Sequence, residues 1–187
     1  MDRRKFVARL LADRRGTMVI TGIGSATYDV AACGDHSLNF YLWSAMGSTA
    51  MVGLGLALAR PDRRVAVITG DGDMLMGLGS LATIGVKQPK NLTVIVLDNG
   101  HYSASGMQLS HTSSGIDLAG AAKACKLRVE AVSTMDRVDE LRALLHPARC
   151  SFTRASMPTT RNASSRAATA AASSSGSCRR RGSRLRM

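Results

Sequence analysis

Val65-Ala66-Val67-Ile68-Thr69-Gly70-Asp71-Gly72-Asp73, answered by Leu92-Thr93-Val94-Ile95-Val96-Leu97-Asp98-Asn99-Gly100-His101, is the stretch that decides the fold. Each half opens on apolar and β-branched residues, the composition of a strand buried on both faces, and closes on a glycine-bearing turn. Between the two, residues 73–86 have helical character, and Lys87-Gln88-Pro89-Lys90 breaks it before the second strand. The unit is strand, helix, strand. Neighbouring strands of a parallel sheet deliver their C-terminal ends to one edge, so Asp71 and Asn99 should come close although 28 positions separate them. A carboxylate and a carboxamide then meet beside glycine backbone amides.

Oxygen ligands of this kind suit Mg2+, while a glycine turn and the following helix N-terminus offer N–H groups to phosphate oxygens. Metal and diphosphate are expected to bind together. A second motif overlaps the first: Gly77-Leu78-Gly79-Ser80-Leu81-Ala82 matches the dinucleotide fingerprint GxGxxA, and Asp98 lies near the distance expected for a ribose-binding acid. That fingerprint belongs immediately after a strand. Here it falls a turn or two into the helix, where its glycines fit close helix-to-sheet packing. A nicotinamide-dependent oxidoreductase of Rossmann type remains the alternative.

Composition bounds the classes. The 187 residues suit one domain, and 45% hydrophobic content with few aromatics fits an α/β fold. The net charge of +12 invites a nucleic-acid partner, but residues 1–147 carry 16 Lys/Arg against 13 Asp/Glu, whereas residues 148–187 carry 9 Arg and no acid. The globular part is nearly neutral, and no nucleic-acid partner is expected. Cysteines at 33, 125, 150 and 178 show neither metal-ligand spacing nor a disulfide framework, which fits reduced thiols in a cytoplasm. Met1 to Asp13 reads as a charged amphipathic helix rather than a secretory signal. Phe40 to Ala59 is twenty residues without a charge, but it is rich in Gly, Ser and Thr and begins like a strand and loop, so burial in a sheet domain explains it and no membrane is expected.

Along the chain, Thr17–Thr21 reads as a short strand ending in Gly22-Ile23-Gly24-Ser25, with a helix from Ala26 to Cys33. Leu38 to Leu42 leads into Trp43-Ser44-Ala45-Met46-Gly47-Ser48 and a helix of small residues through Ala59. Tyr102 to Gly115 is a long small-residue loop, in which His101, Tyr102, Gln108 and His111 are candidates to face substrate. Asp117 caps a helix to Cys125, Leu127–Val132 is a further strand, and Met135–Leu145 a further helix. The expected fold is a three-layer, doubly wound, mostly parallel α/β sheet over residues 1–147, followed by an irregular or disordered basic tail. From Ala148 onward Arg, Ser, Ala and Thr dominate, and the abrupt change reads as a frameshift. On that reading the sheet lacks its last strand and leaves an edge uncovered. An inactive product of a frameshifted gene is therefore a further alternative.

GDG after one strand, with an Asn at the end of the next, resembles the fingerprint of the thiamine diphosphate (ThDP) enzymes. Asn99 matches the last residue of the family's usual Asn pair, and Asp98 replaces the first. The resemblance implies that Asp71, the Asn99 side chain and the His101 carbonyl ligate Mg2+, with Gly70, Gly72, Asp73 and Tyr102 beside the coenzyme. It also implies that Gly24 and Ser25, in a TGxxS-type turn, contact the diphosphate. Met46 would wedge beneath the bent coenzyme, and the Ser44 carbonyl would accept from its 4′-amino group. The resemblance covers residues 1–147, looks like the ThDP-binding (PP) domain alone, and points to the β subunits of sulfopyruvate and phosphonopyruvate decarboxylases.

The activating Glu of such enzymes sits on a pyrimidine-binding (PYR) domain, for which this chain is too short, and neither Glu130 nor Glu140 lies in a matching motif. No catalytic residue is assigned here. The implied partners are a PYR-domain α subunit and a second copy of this chain, and the implied substrate is a small 2-oxoacid. The implied activity is that of a carboxy-lyase subunit, with an acetolactate synthase-like carboligase as an alternative.

Overall fold

The computed structural model describes residues 1–145 and 150–157 and joins six parallel strands in one sheet. In chain order the strands are Met18–Thr21 (β1), Asn39–Tyr41 (β2), Val65–Gly70 (β3), Leu92–Asp98 (β4), His101–Tyr102 (β5), Gln108–Leu109 (β6), Arg128–Val132 (β7) and Ser151–Ser156 (β8), of which β5 and β6 form a separate antiparallel hairpin. The helices are Arg3–Leu11 (α1), Ser25–Ala31 (α2), Thr49–Ala59 (α3), Asp71–Met76 (α4), Ser80–Lys87 (α5), Leu118–Ala124 (α6) and Val138–Leu144 (α7). The sheet order is β2-β1-β3-β4-β8-β7. From β1 the chain winds outward to β2, then crosses back to place β3 on the other side of β1. The winding direction reverses between β1 and β3, and in doubly wound sheets ligands bind in the crevice above such a reversal.

The two apolar runs become the centre of the sheet because both their faces are covered. Ala66, Ile68, Ile95 and Leu97 pack with Phe6, Leu10, Val30 and Leu141 from α1, α2 and α7. Val65, Val67, Val94 and Val96 pack with Leu54, Leu81, Ile84 and Leu118 from α3, α5 and α6. Successive strand residues alternate between these two clusters, which makes the three layers. On α3, a Cβ added to Gly53 would stand 2.2 Å from Val67 Cγ2, so that helix lies directly on β3. The uncharged stretch 40–59 is thus an edge strand, a loop and a packed helix. Among the described residues no helix is long and apolar enough to cross a membrane.

Several expectations need correction. The sheet does not stop at 147: β8 pairs with β4 through Thr93↔Ser151 to Asp98↔Ser156 and with β7 through Arg128↔Ser151 to Val132↔Ala155. The strand held to be missing is interior, with Phe152, Ala155 and Met157 buried. Its pattern is hard to see in sequence because Ser, Thr and Arg alternate with only a few apolar residues. The tail beyond 157, and the frameshift reading attached to it, lie outside the described residues. The single helix expected over 73–86 is two, α4 and α5, broken at Gly77 to Gly79. Within the long loop, β5, β6 and two 3-10 turns, Ser103–Ser105 and His111–Ser114, give regular structure where none was expected.

Candidate functional site

The crevice at the β1/β3 reversal is a cleft of about 190 Å³. The exits of three parallel strands build it. From β1 come Ile23, Gly24 and Ser25, from β3 come Gly70 to Asp73, and from β4 come Asn99 and residues 101–105. The turn after β1 needs glycine at Gly24, whose φ of +88° is unfavourable for a residue with a Cβ. Ser25 then opens α2, and its hydroxyl lies 3.1 Å from that of Ser103, which closes one end of the cleft.

Register explains the acid-amide pair. Gly70 pairs with Leu97, so the next residues of the two strands, Asp71 and Asp98, stand side by side and Asn99 follows immediately. Asp71 is 2% exposed, and its Oδ2 accepts from the Ser110 hydroxyl. The Thr112 hydroxyl lies 3.2 Å from the same oxygen and 2.9 Å from Asp98 Oδ1, so one hydroxyl bridges the two carboxylates. Burial pushes the Asp71 carboxyl above its ordinary value, the nearby Asp98 charge adds to the rise, and the Ser110 and Thr112 hydroxyls oppose it. Asn99 and His101 form a tight turn: Asn99 Oδ1 accepts from the His101 N–H at 3.0 Å, and His101 Nδ1 lies 2.8 Å from the Asn99 carbonyl. Asp71, Asn99 and His101 all line the cleft.

Asp98 does something else. Its Oδ2 accepts from Arg154 Nε at 2.7 Å, and its Oδ1 accepts from the Gly100 N–H at 3.0 Å. With Thr112 also engaged, this buried carboxylate is committed to the protein and is not among the residues lining the cleft. It is not presented to a ribose. The overlapping GxGxxA motif is corrected in the same direction. A Cβ on Gly77 would stand 2.0 Å from the Gly47 carbonyl oxygen, whereas one on Gly79 would meet nothing within 4 Å. Gly77 therefore packs on a loop rather than on the sheet, and the motif sits between two helices instead of after a strand.

That loop is held from both sides. Asp73 Oδ1 accepts from the Gly47 N–H at 2.5 Å, while Asp73 Oδ2 accepts from the Thr69 hydroxyl. Asp73 thus fixes the segment that carries Met46 into the cleft. Gly72 lies between Met46 and Tyr102: a Cβ there would be 3.4 Å from Met46 Cε and 2.5 Å from Tyr102 Cε1. Only a glycine lets both side chains approach.

Ten of the eleven expected site residues line this cleft: Gly24, Ser25, Met46, Gly70, Asp71, Gly72, Asp73, Asn99, His101 and Tyr102. Ser44 does not; it is exposed, with a left-handed φ of +56° that turns the chain at the loop's outer edge. Gln108 is bonded to Ser105 at 2.9 and 3.1 Å, and His111 touches Tyr102 at 3.4 Å without lining the cleft. Sequence reasoning missed Arg3, Ser110, Thr112 and Arg154. Small hydroxyl residues in a loop and arginines in a basic chain carry no distinguishing signal.

The donor set fits a hard cation. Among the described residues no three His, Cys, Asp or Glu side chains cluster as a metal site. The set on this cleft wall is one carboxylate, one carboxamide and backbone oxygens, all hard donors of the kind Mg2+ takes with added water and phosphate. The N-cap residue of α4, Gly70, brings no capping side chain, which leaves the glycine-bearing corner open for an anion to approach the helix start.

Comparison with known proteins points the same way. The family model "Thiamine pyrophosphate enzyme, C-terminal TPP binding domain" matches residues 22–157. The sulfopyruvate decarboxylase subunit beta of Methanocaldococcus jannaschii is 36% identical over 134 residues, 71% of either chain. A phosphonopyruvate decarboxylase of Streptomyces viridochromogenes is 43% identical over 134 residues, 71% of this chain but only 33% of that protein. The chain thus spans about a third of the phosphonopyruvate decarboxylase and most of the subunit beta. In fold, it is similar to a 2-oxoglutarate:ferredoxin oxidoreductase from Magnetococcus marinus, with a TM-score of 0.70 at 18% identity over 83% of this chain and 62% of that one.

Proposed function

Because the chain belongs to the thiamine pyrophosphate enzymes, as their C-terminal TPP-binding domain, we propose that it is the ThDP- and Mg2+-binding subunit of a 2-oxoacid decarboxylase of the sulfopyruvate/phosphonopyruvate type. One observation carries the reading: Asp71 and Asn99 leave adjacent parallel strands onto one cleft wall, beside the Gly70–Gly72 corner and at the winding reversal. Asp71, the Asn99 side chain and the His101 carbonyl would hold Mg2+, and the Gly24–Ser25 turn and the first amides of α4 would hold the diphosphate. Met46, kept in place by Asp73 through Gly47, would support the rest of the coenzyme. When bound, ThDP supplies the nucleophilic carbon and the electron sink that let CO2 leave a 2-oxoacid. The chain's own contribution is to bind, orient and shield.

A separate PYR-domain subunit is part of the proposal. A cleft of about 190 Å³ is smaller than the 300–1,000 Å³ typical of small-molecule sites, which is what half of a shared site would offer. Large apolar side chains stand exposed on the segments that build it: Trp43 at 82%, Met76 against Gly47, and Leu109 on the hairpin. Exposed apolar side chains gathered around a site fit a partner surface, and the relative of matching length is named a subunit beta. Thermal denaturation of the full chain tests the coenzyme assignment. A rise in Tm with Mg2+ plus ThDP, absent with NADH and lost in Asp71→Ala, is expected. A rise with NADH and none with ThDP would overturn it.

A further inference from the structure

We propose that Arg3, on α1 and ahead of the segment matched by the family model, donates its free guanidinium edge to the diphosphate at the Gly24–Ser25 end of the cleft. The inference rests on the coenzyme reading above and extends it to a residue outside the fingerprint. Arg3 is the one arginine or lysine among the described residues that line the cleft. Its Nε donates to Asp29 Oδ2, and among the described residues its two Nη groups have no protein partner. Asp29 is wholly buried on α2, four residues after Ser25 and so on the same face one helical turn below it. A guanidinium anchored on Asp29 by its inner edge therefore stands beside the cleft wall, with its outer edge still available. Its side chain keeps 31% exposure, as expected of a group that is held but not covered.

The charge balance asks for such a group. On the coenzyme reading Asp71 would serve the metal, Asp73 is tied to Gly47 and Thr69, and a diphosphate carries more negative charge than one divalent cation, already partly neutralised by that carboxylate, can balance. Arginine meets phosphate oxygens with two parallel N–H groups, and the Asp29 contact pre-orients them, which lowers the ordering cost of binding. Arg4, whose Nε lies 3.4 Å from Asp29 Oδ1, shares the task of neutralising Asp29 but is mostly exposed and does not line the cleft.

Calorimetric titration of the full chain with Mg2+ plus ThDP, and separately with Mg2+ plus inorganic pyrophosphate, tests the assignment. Arg3→Gln is expected to weaken both ligands by about tenfold to a hundredfold, the loss typical of one charge-assisted contact. Because that variant also strips Asp29 of a partner, Arg3→Gln with Asp29→Asn is the decisive chain. It removes the buried Asp29 charge together with its Arg3 partner, keeps the melting transition and, if Arg3 touches the ligand, still binds both weakly. Wild-type affinity in the double variant would reduce Arg3 to a counter-ion and overturn the inference. A penalty confined to a phosphonate- or sulfonate-bearing 2-oxoacid, with ThDP and pyrophosphate unaffected, would also overturn it, by placing the guanidinium at the substrate. Failure of the coenzyme reading itself looks different: wild type would then bind neither ligand, and Asp71→Ala would change nothing.

Discussion

At Asp71 the site's two demands pull against each other. A metal needs the carboxylate ionised, whereas burial and the neighbouring Asp98 favour the neutral form. A carboxyl whose pKa is raised by folding contributes stability that is full below its unfolded value and is lost as pH rises through its folded value. Once ionised, Asp71 is therefore a cost to the ligand-free fold. Asp71→Asn keeps an acceptor for Ser110, so we expect the ligand-free Tm to stay level or rise while the increment from Mg2+ plus ThDP disappears. A falling ligand-free Tm would mean that Asp71 is structural. The same direction predicts that affinity for Mg2+–ThDP declines on acidification at a higher pH than an unperturbed carboxylate would require. Titration calorimetry at stepped pH checks it.

A glycine pair gives a second test at this scale. Gly77→Ala forces a methyl group onto the Gly47 carbonyl and should cost about 1–3 kcal/mol, with a matching loss of ligand affinity through the Met46 loop. Gly79→Ala meets open space at helical angles and should be neutral or stabilising by about 0.4–1 kcal/mol. Two glycines of one motif thus part company, as a dinucleotide fingerprint would not allow. Asp71, Asn99 and the glycine corners were legible because strand, turn and spacing all constrain them. Ser110, Thr112 and Arg154 were not, since their roles come from contacts made across the fold rather than from any local pattern.

Among the elements, β8 changes the reading most. It fills the sheet between β4 and β7, and its Arg154 neutralises Asp98 at the end of β4, next to Asp71 and Asn99. Arg154→Met leaves that carboxylate buried and unpaired. Because Arg154 is about one-third exposed, the cost should be about 2–3 kcal/mol, below that of a fully buried pair. Asp98→Asn in the same chain should recover most of it, as denaturant unfolding of the single and double variants would reveal. Chain length gives a blunter check. A chain ending at 157 should melt cooperatively, whereas one ending at 147 loses β8 and should not, because β4 and β7 then have no common neighbour. β3 and β4 could be read from composition because both faces of each are buried. β8 hid because its buried positions include polar Ser151 and Thr153 beside Arg154, and the α4–α5 break hid because Gly77 answers to a loop remote in sequence.

At the scale of the whole molecule, six parallel strands bring three glycine or acid-amide corners to one edge, and the helices on both faces hold that edge rigid. The three layers and the doubly wound class followed from two apolar runs and the helix between them. The strand order that puts the cleft between β1 and β3 did not, since periodicity gives no neighbour relations. If the proposed function holds, the enzyme is divided between two chains and inactive in halves: this chain alone is expected to turn over no 2-oxoacid, and addition of a PYR-type subunit should restore decarboxylation, followed by CO2 release. The most direct test is a diffraction measurement on the full chain crystallised with Mn2+ and ThDP, reading the metal from its anomalous signal. The account predicts one peak within about 2.2 Å of both an Asp71 carboxylate oxygen and the Asn99 carboxamide oxygen. A metal bound elsewhere, or ThDP held with neither side chain in contact, would contradict it.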